Sequence, residues 1–189
     1  FAGAELYSVY EAGFSGFGLH RHLCRVGIQN IVVHAASIEV SARDRVKTDK
    51  RDSLKLAVQL AAGRLQGIRI PSEAEECRRL VSRTRTQLVQ ARTRLKNQIR
   101  SKFHKFGHIA PADKRELSLA MVRAVLIQGV SIELEVVVKA LVAVWESINL
   151  QLKHLVAELK QQAARDPYEP TYRSVGGFGA LTARELSNE

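Results

Sequence analysis

Residues 5–34 read ELYSVYEAGFSGFGLHRHLCRVGIQNIVVH, and their order decides the fold. ELYSVY at 5–10 alternates and is rich in β-formers, and it runs into the glycine-bearing turn EAGFSGFG. A helical pattern follows, with Phe17, Leu19, Leu23 and Val26 near one face and Gly27 placed as its C-terminal stop. IQNIVVH at 28–34 then reads as a buried strand. Strand, helix and strand in close succession imply a βαβ unit with a parallel sheet. Gly13, Gly16 and Gly18 fall between strand and helix, where nucleotide-binding loops occur. Their order is G-x-x-G-x-G, reversed from the dinucleotide fingerprint, and no G-K-[ST] is present, so they read as a tight turn.

Outward from this unit, SLKLAVQLAAGRL starts another helix, with Leu54, Ala57, Val58 and Ala61 as its expected apolar face. IRIP at 68–71 closes the region. The composition changes at Ser72, which is placed to cap a helix with Glu75 at the capping-box position. Val81, Leu88 and Leu95 then repeat every seven residues, supplemented by Ile99, Phe103 and Phe106, until Gly107 to Asp113 breaks the run. A second long pattern has Val137, Leu141, Val144, Ile148, Leu152, Leu155 and Leu159 as a coiled-coil seam. Two long helices joined by a break predict an antiparallel helical hairpin, although the same seam could serve dimerisation. DPYEP at 166–170 reads as a linker into YRSVGGFGALTARELSNE, a glycine turn leading into a helix. The expected division is an α/β domain at 1–71, a basic hairpin at 72–165 and a short third segment at 166–189.

Composition narrows the class of partner. The 189 residues are 46% hydrophobic and 25% charged, ordinary for a folded protein. Lys plus Arg total 29 against 19 acids, a net +10, which favours nucleic acid first and an acidic membrane surface second. Lys139 interrupts the most apolar run, VVVKALVAVW, so no stretch reaches the roughly 18 residues of a membrane span. FAGAELYSVYEAG lacks the pattern of a signal peptide, and two cysteines, Cys24 and Cys77, make no disulfide framework; the expected compartment is a reducing cytoplasm. The chain opens on Phe and stops within a helical pattern, so both ends look cut.

The chemistry-bearing residues cluster around VKTDKRD at 46–52. If a helix begins near Thr48, Asp49 and Asp52 share one face of its first turn. Glu11 ends the first strand, where parallel sheets place functional groups. Three such carboxylates suit Mg2+ or Mn2+, with Lys47, Lys50 and Arg51 facing a phosphate backbone. The plainer alternative is that Asp49 caps the helix and Asp52 favours its positive end; spacing alone favours it, because D-x-x-D is common. His20, His22 and Cys24 suggest zinc, but only His20 and Cys24 share a face and no second ligand pair lies nearby. Between Arg78 and Lys105 stand ten cations and no acid: Arg78, Arg79, Arg83, Arg85, Arg92, Arg94, Lys96, Arg100, Lys102 and Lys105. They gain no i,i+4 pairing and repel one another, which nucleic-acid contact explains better than a solvated face does. SVGGFGALTARE reads either as an ordinary turn before a helix or as a glycine hairpin whose N–H groups meet a DNA phosphate.

In this order, YEAGFSGFGLHRHL, DRVKTDKRDSLKLAVQL, a basic helical stretch and SVGGFGALTAREL resemble the DEDD-type transposases of bacterial insertion sequences, over essentially the whole chain. The resemblance implies a truncated RuvC-like sheet domain in which four acidic residues hold divalent metal for DNA cleavage and transfer. Glu11, Asp49 and Asp52 match three of the four. The first aspartate is expected ahead of Phe1 and a catalytic serine beyond Glu189, so this chain alone is expected not to catalyse transposition. A structured guide RNA is an implied partner beside DNA, and a homo-oligomer is expected through the coiled coil. Gly176 stands where the family turn usually has proline. The rival readings are a non-catalytic coiled-coil module that binds nucleic acid or assembles, and a RuvC-like nuclease that cuts without joining.

Overall fold

The computed structural model describes residues 3–39, 48–109 and 116–189. They fall into two compact units, Phe1–Ser72 and Glu73–Glu189.

In the first unit, β1 (Tyr7–Glu11) and β2 (Gln29–Val33) pair in parallel, Tyr7 opposite Gln29 and Glu11 opposite Val33. Helix α1 (Gly18–Arg25) makes the crossover and packs on β2, giving the βαβ unit the alternation predicts. Gly27 ends α1 at φ +84°, its N–H bonded to Cys24 O (3.1 Å) and that of Ile28 to Leu23 O (3.0 Å). Such a stop needs the left-handed conformation that only glycine adopts cheaply. Val32 and Val33 are buried, 1% and 0% exposed, and form the centre of this small unit.

Helix α2 (Asp49–Ala61) packs on β1, but with a different face from the one expected. Leu54 and Val58 are 65% and 60% exposed, and Ala57 and Ala61 are exposed as well. Leu56 and Leu60 are half-buried instead, and Gln59 is buried. The helix is apolar on two sides, and Gln59 fixes which one turns inward. Its side-chain amide donates to Glu39 O (2.9 Å) and accepts from Glu39 N (3.3 Å), so a polar residue is satisfied inside while two aliphatic ones face water.

The second unit is helical. Helix α3 (Glu73–Lys105) opens with Glu73, Glu75 and Glu76 in its first turn, where they complement the positive end. It ends at a bond from His108 N to Phe103 O (2.9 Å). Helix α4 (Leu119–Gln128) is capped by Ser118, and α5 (Ile132–Ala164) by Ser131. Arg92 lies against Asn149 and Lys96 over Trp145, so α3 and α5 run antiparallel as a hairpin. The separate helix α4 is absent from the sequence reading, although Gly129 and the Ser131 cap mark the break before α5. Ile99 and Phe103 of α3, Val122 and Val125 of α4, and Leu134, Val138 and Trp145 of α5 bury one another where the three helices meet. Each such side chain is worth about 1.5–3 kcal/mol.

The seam on α5 is displaced by one residue at two places. Val138 and Trp145 are buried, whereas Val137 and Val144 are 41% and 51% exposed; Leu152 and Leu159 are buried as expected. Trp145 has the largest apolar surface available, and burying it displaces Val144 to the solvent side. Phe106 is 57% exposed, beyond the end of α3, and packs no core.

Residues 166–189 join the second unit. Helix α6 (Glu169–Arg173) packs on α7 (Ala180–Asn188), which lies on both α3 and α5. Among the described residues no helix is long and apolar enough to cross a membrane.

Candidate functional site

Glu11 is the last residue of β1 and is exposed. Thr48 is the N-cap of α2, its hydroxyl accepting from Arg51 N (3.4 Å), so Asp49 does not cap the helix. Asp49 and Asp52 both sit in the first turn, where the helix dipole favours negative charge. At 3.6 residues per turn they fall on the same side of α2 as Leu56 and Leu60, the side turned toward the sheet. Asp52 is half-buried and Asp49 exposed. The fold therefore packs the aspartate-bearing helix on the strand that ends at Glu11. It does not draw the three carboxylates into one group: among the described residues no three His, Cys, Asp or Glu side chains are placed to hold a metal ion. Lys50 and Arg51 are exposed beside them, and Lys47 lies outside the described residues.

The His20 and Cys24 pair is structural. His20 Nδ1 lies 2.8 Å from Asn30 Oδ1, and Asn30 Nδ2 donates to Ser8 Oγ (2.8 Å), tying α1 to both strands. Cys24 Sγ stands 3.8 Å from His20 Nε2, while His22 is exposed. Tyr10 Oη donates to Gly16 O (3.0 Å) and accepts from His20 N (3.3 Å), which holds the glycine turn against β1 just before Glu11.

On α3 the acid-free stretch finds its counter-charges elsewhere in the chain. Arg85 pairs with Glu185 (2.6 Å), Arg83 with Glu189 (2.6 Å), and Lys96 with Glu116. Arg83 holds the Glu189 carboxyl below its usual range, and Lys96 does the same for Glu116. Arg92 reaches Asn149 (3.4 Å), and Arg79 donates to Asn188 O (3.0 Å). Mutual repulsion among ten cations is thus relieved for several of them by residues far away in sequence. Arg78, Arg94, Lys102 and Lys105 make no ion pair among the described residues, and of these Arg94, Lys102 and Lys105 share one side of α3. Arg100 is half-buried.

The sequence reading missed the cluster at the base of the hairpin. Arg184 is 2% exposed, and its Nη2 lies 2.8 Å from Asp166 Oδ2 and 2.6 Å from Ser187 Oγ; Nη1 lies 3.6 Å from Glu169 Oε2. Asn188 Nδ2 donates to Ser82 Oγ (2.6 Å) and faces Gln162 Oε1 (3.3 Å), fastening α7 to both long helices. Between α6 and α7, Phe178 N donates to Val175 O (3.1 Å) and Gly177 has φ +85°, as the third position of a type II turn requires. Gly176 occupies the second position, where proline is favoured.

Comparison with known proteins defines the class of this chain. The profile of the IS110-type DEDD transposase family, described as "Transposase", matches residues 3–106. The chain belongs to that family. A protein of Sinorhizobium fredii (strain NBRC 101917 / NGR234) named as transposase y4qE is 36% identical over 119 residues, covering 63% of this chain and 30% of that protein. The transposase for insertion sequence element IS1533 of Leptospira borgpetersenii is 37% identical over 86 residues, 44% of this chain and 25% of the relative. The chain thus spans between 25% and 30% of the length of these two relatives. No solved structure matches.

Proposed function

We propose that this chain is part of a bacterial, cytoplasmic transposase that acts on DNA. Membership of the family over residues 3–106 carries the reading. The exposed cations of α3 form its nucleic-acid interface, with Lys50 and Arg51 as a second basic patch beside the aspartates. Glu11, Asp49 and Asp52 supply carboxylate ligands for Mg2+ or Mn2+. The donor chemistry fits, because hard divalent cations take carboxylate oxygen. Such an ion polarises phosphate and activates the attacking oxygen. The βαβ unit is part of a truncated RuvC-like sheet, and strand cleavage and transfer belong to the full-length protein. By family resemblance a structured RNA encoded by the element is a second partner, and the long helices serve a homo-oligomer.

One observation favours a second reading, a non-catalytic helical module that binds nucleic acid or assembles: the three carboxylates are not gathered into one group. Both readings need the basic face, and the salt dependence of binding tests it. Labelled duplex DNA and a folded RNA hairpin are titrated with the chain between about 50 and 200 mM salt. Affinity is expected to fall steeply with salt. Replacing Arg94, Lys102 and Lys105 together by alanine is expected to reduce the slope by about 2–3. Binding that ignores salt, or a slope unchanged in the triple variant, removes this face from the proposal.

A further inference from the structure

At the base of the helical pair lies a cavity of about 730 Å3. Its size falls among those of small-molecule sites, about 300–1,000 Å3. Tyr168 and Tyr172 line it together with Arg78, Arg165 and Arg184. Tyr168 is 69% exposed, a large aromatic surface left beside an open cavity. Arg184 is almost wholly buried at the cavity's edge, where Asp166 and Ser187 hold its Nη2 and its Nε–H is sealed from solvent.

The charge around the cavity limits the guest. Three arginines line it together with three acids, Glu75, Glu158 and Asp166, so the lining is close to neutral and a polyphosphate is disfavoured. Aromatic rings, carboxylates and guanidinium groups together suit a nucleobase with one phosphate. The ring stacks on tyrosine, exocyclic amino groups donate to carboxylates, and arginine takes the phosphate. A base held in a duplex cannot enter such a cavity, because its faces are already stacked.

We propose that this cavity takes one unstacked nucleotide from a single-stranded segment of nucleic acid. Tyr168 is the stacking platform, and the exposed Arg78 and Arg165 hold the backbone. The proposal rests on the nucleic-acid reading above and adds to it a place where a single base is held. Arg78 belongs both to this cavity and to the set of α3 cations that make no ion pair among the described residues.

The test is fluorescence anisotropy with a short labelled single strand, made as RNA and as DNA, and with the matching duplex. Tyr168→Ala is expected to weaken single-strand binding about tenfold and to leave duplex binding unchanged. Tyr168→Phe keeps the ring and is expected to bind within about twofold of the parent chain. Arg165→Ala weakens the single strand as well. The RNA and DNA arms show which sugar the cavity admits, and tyrosine-dependent binding of either supports the proposal. If the parent chain binds the strand and both Tyr168→Ala and Arg165→Ala bind equally well, the cavity is refuted while the basic face stands. If the parent chain binds no nucleic acid, the cavity and the wider reading fall together.

Discussion

Arg184 Nη2 lies 2.8 Å from Asp166 Oδ2, and the arginine side chain that makes this contact is only 2% exposed. The pair ties α7 to the end of α5, with Glu169 as a second buried acid 3.6 Å away. A buried ion pair is weak evidence for net stability, because desolvation offsets most of the attraction. Removing one partner is different, since it strands the other charge.

Arg184→Met keeps much of the volume and leaves Glu169 buried without its cation. It is expected to destabilise the chain by about 3–5 kcal/mol, read as a lower urea midpoint. The exposed Arg173→Met serves as control, with an expected change within about 0.5 kcal/mol. Equal midpoints for the two variants show that the Arg184 cluster does not hold α7.

The same contact region predicts an acid limb. Asp166 is held below the usual aspartate range, first by the backbone N–H of Tyr168 and then by Ser187 and Arg184. Glu189 is held low by Arg83. A carboxyl whose folded pKa lies below its unfolded value stabilises fully above the unfolded value, and that contribution fades as pH falls through the folded one. The urea midpoint is therefore expected to be steady down to about pH 5 and to decline below it. Asp166→Asn flattens that decline. A decline equally steep in wild type and variant assigns the acid limb to other carboxylates.

Much of this architecture is legible in the residues themselves. ELYSVY, Gly27 and IQNIVVH announce the βαβ unit because alternation and a glycine stop are local signals. The hairpin is legible through Leu152 and Leu159. Legibility fails where a helix offers two apolar sides. Leu54 and Val58 look as ready for burial as Leu56 and Leu60, and only the amide pairing of Gln59 with Glu39 decides between them. The site divides in the same way. Asp49 and Asp52 share the sheet-facing side of α2, as their spacing implies, and Thr48 takes the capping role that spacing alone allowed Asp49. The counter-charges Glu185, Glu189 and Glu116 were invisible because they are distant in sequence from the arginines and the lysine they meet. The buried cluster at Arg184 left no local signal, since a lone arginine in TARE reads as a solvated helix residue.

The displaced seam on α5 has an energetic signature. Trp145 is 3% exposed and carries Lys96 over its ring at 5.2 Å, whereas Val144 is 51% exposed. Trp145→Ala opens a cavity where α3, α4 and α5 meet and is expected to cost about 3–5 kcal/mol. Val144→Ala is expected to change stability by no more than about 0.5 kcal/mol. Heptad counting from Val137 predicts the opposite order, so two thermal melts separate the alternatives. A large loss in Val144→Ala places that valine in an interface between copies, which dilution of the sample then reverses.

The carboxylates of VKTDKRD give the last prediction. Asp49 has no capping role, and both aspartates lie on the sheet-facing side of α2, where the helix dipole lowers the cost of their negative charge. A Mn2+ or Mg2+ ion would take their oxygens as ligands. Calorimetric titration of the chain with each ion is expected to show saturable binding that the Asp49→Ala/Asp52→Ala double variant loses. Glu11→Gln is expected to weaken binding without abolishing the fold, because Glu11 is exposed at the end of β1. Circular dichroism confirms that the double variant keeps α2, which loses about 0.3–1 kcal/mol of dipole stabilisation per aspartate. Binding that survives in the double variant moves the metal to other carboxylates. No saturable heat from a folded parent chain favours the non-catalytic module, because a pair of acids that serves only to start a helix has no need of a divalent ion.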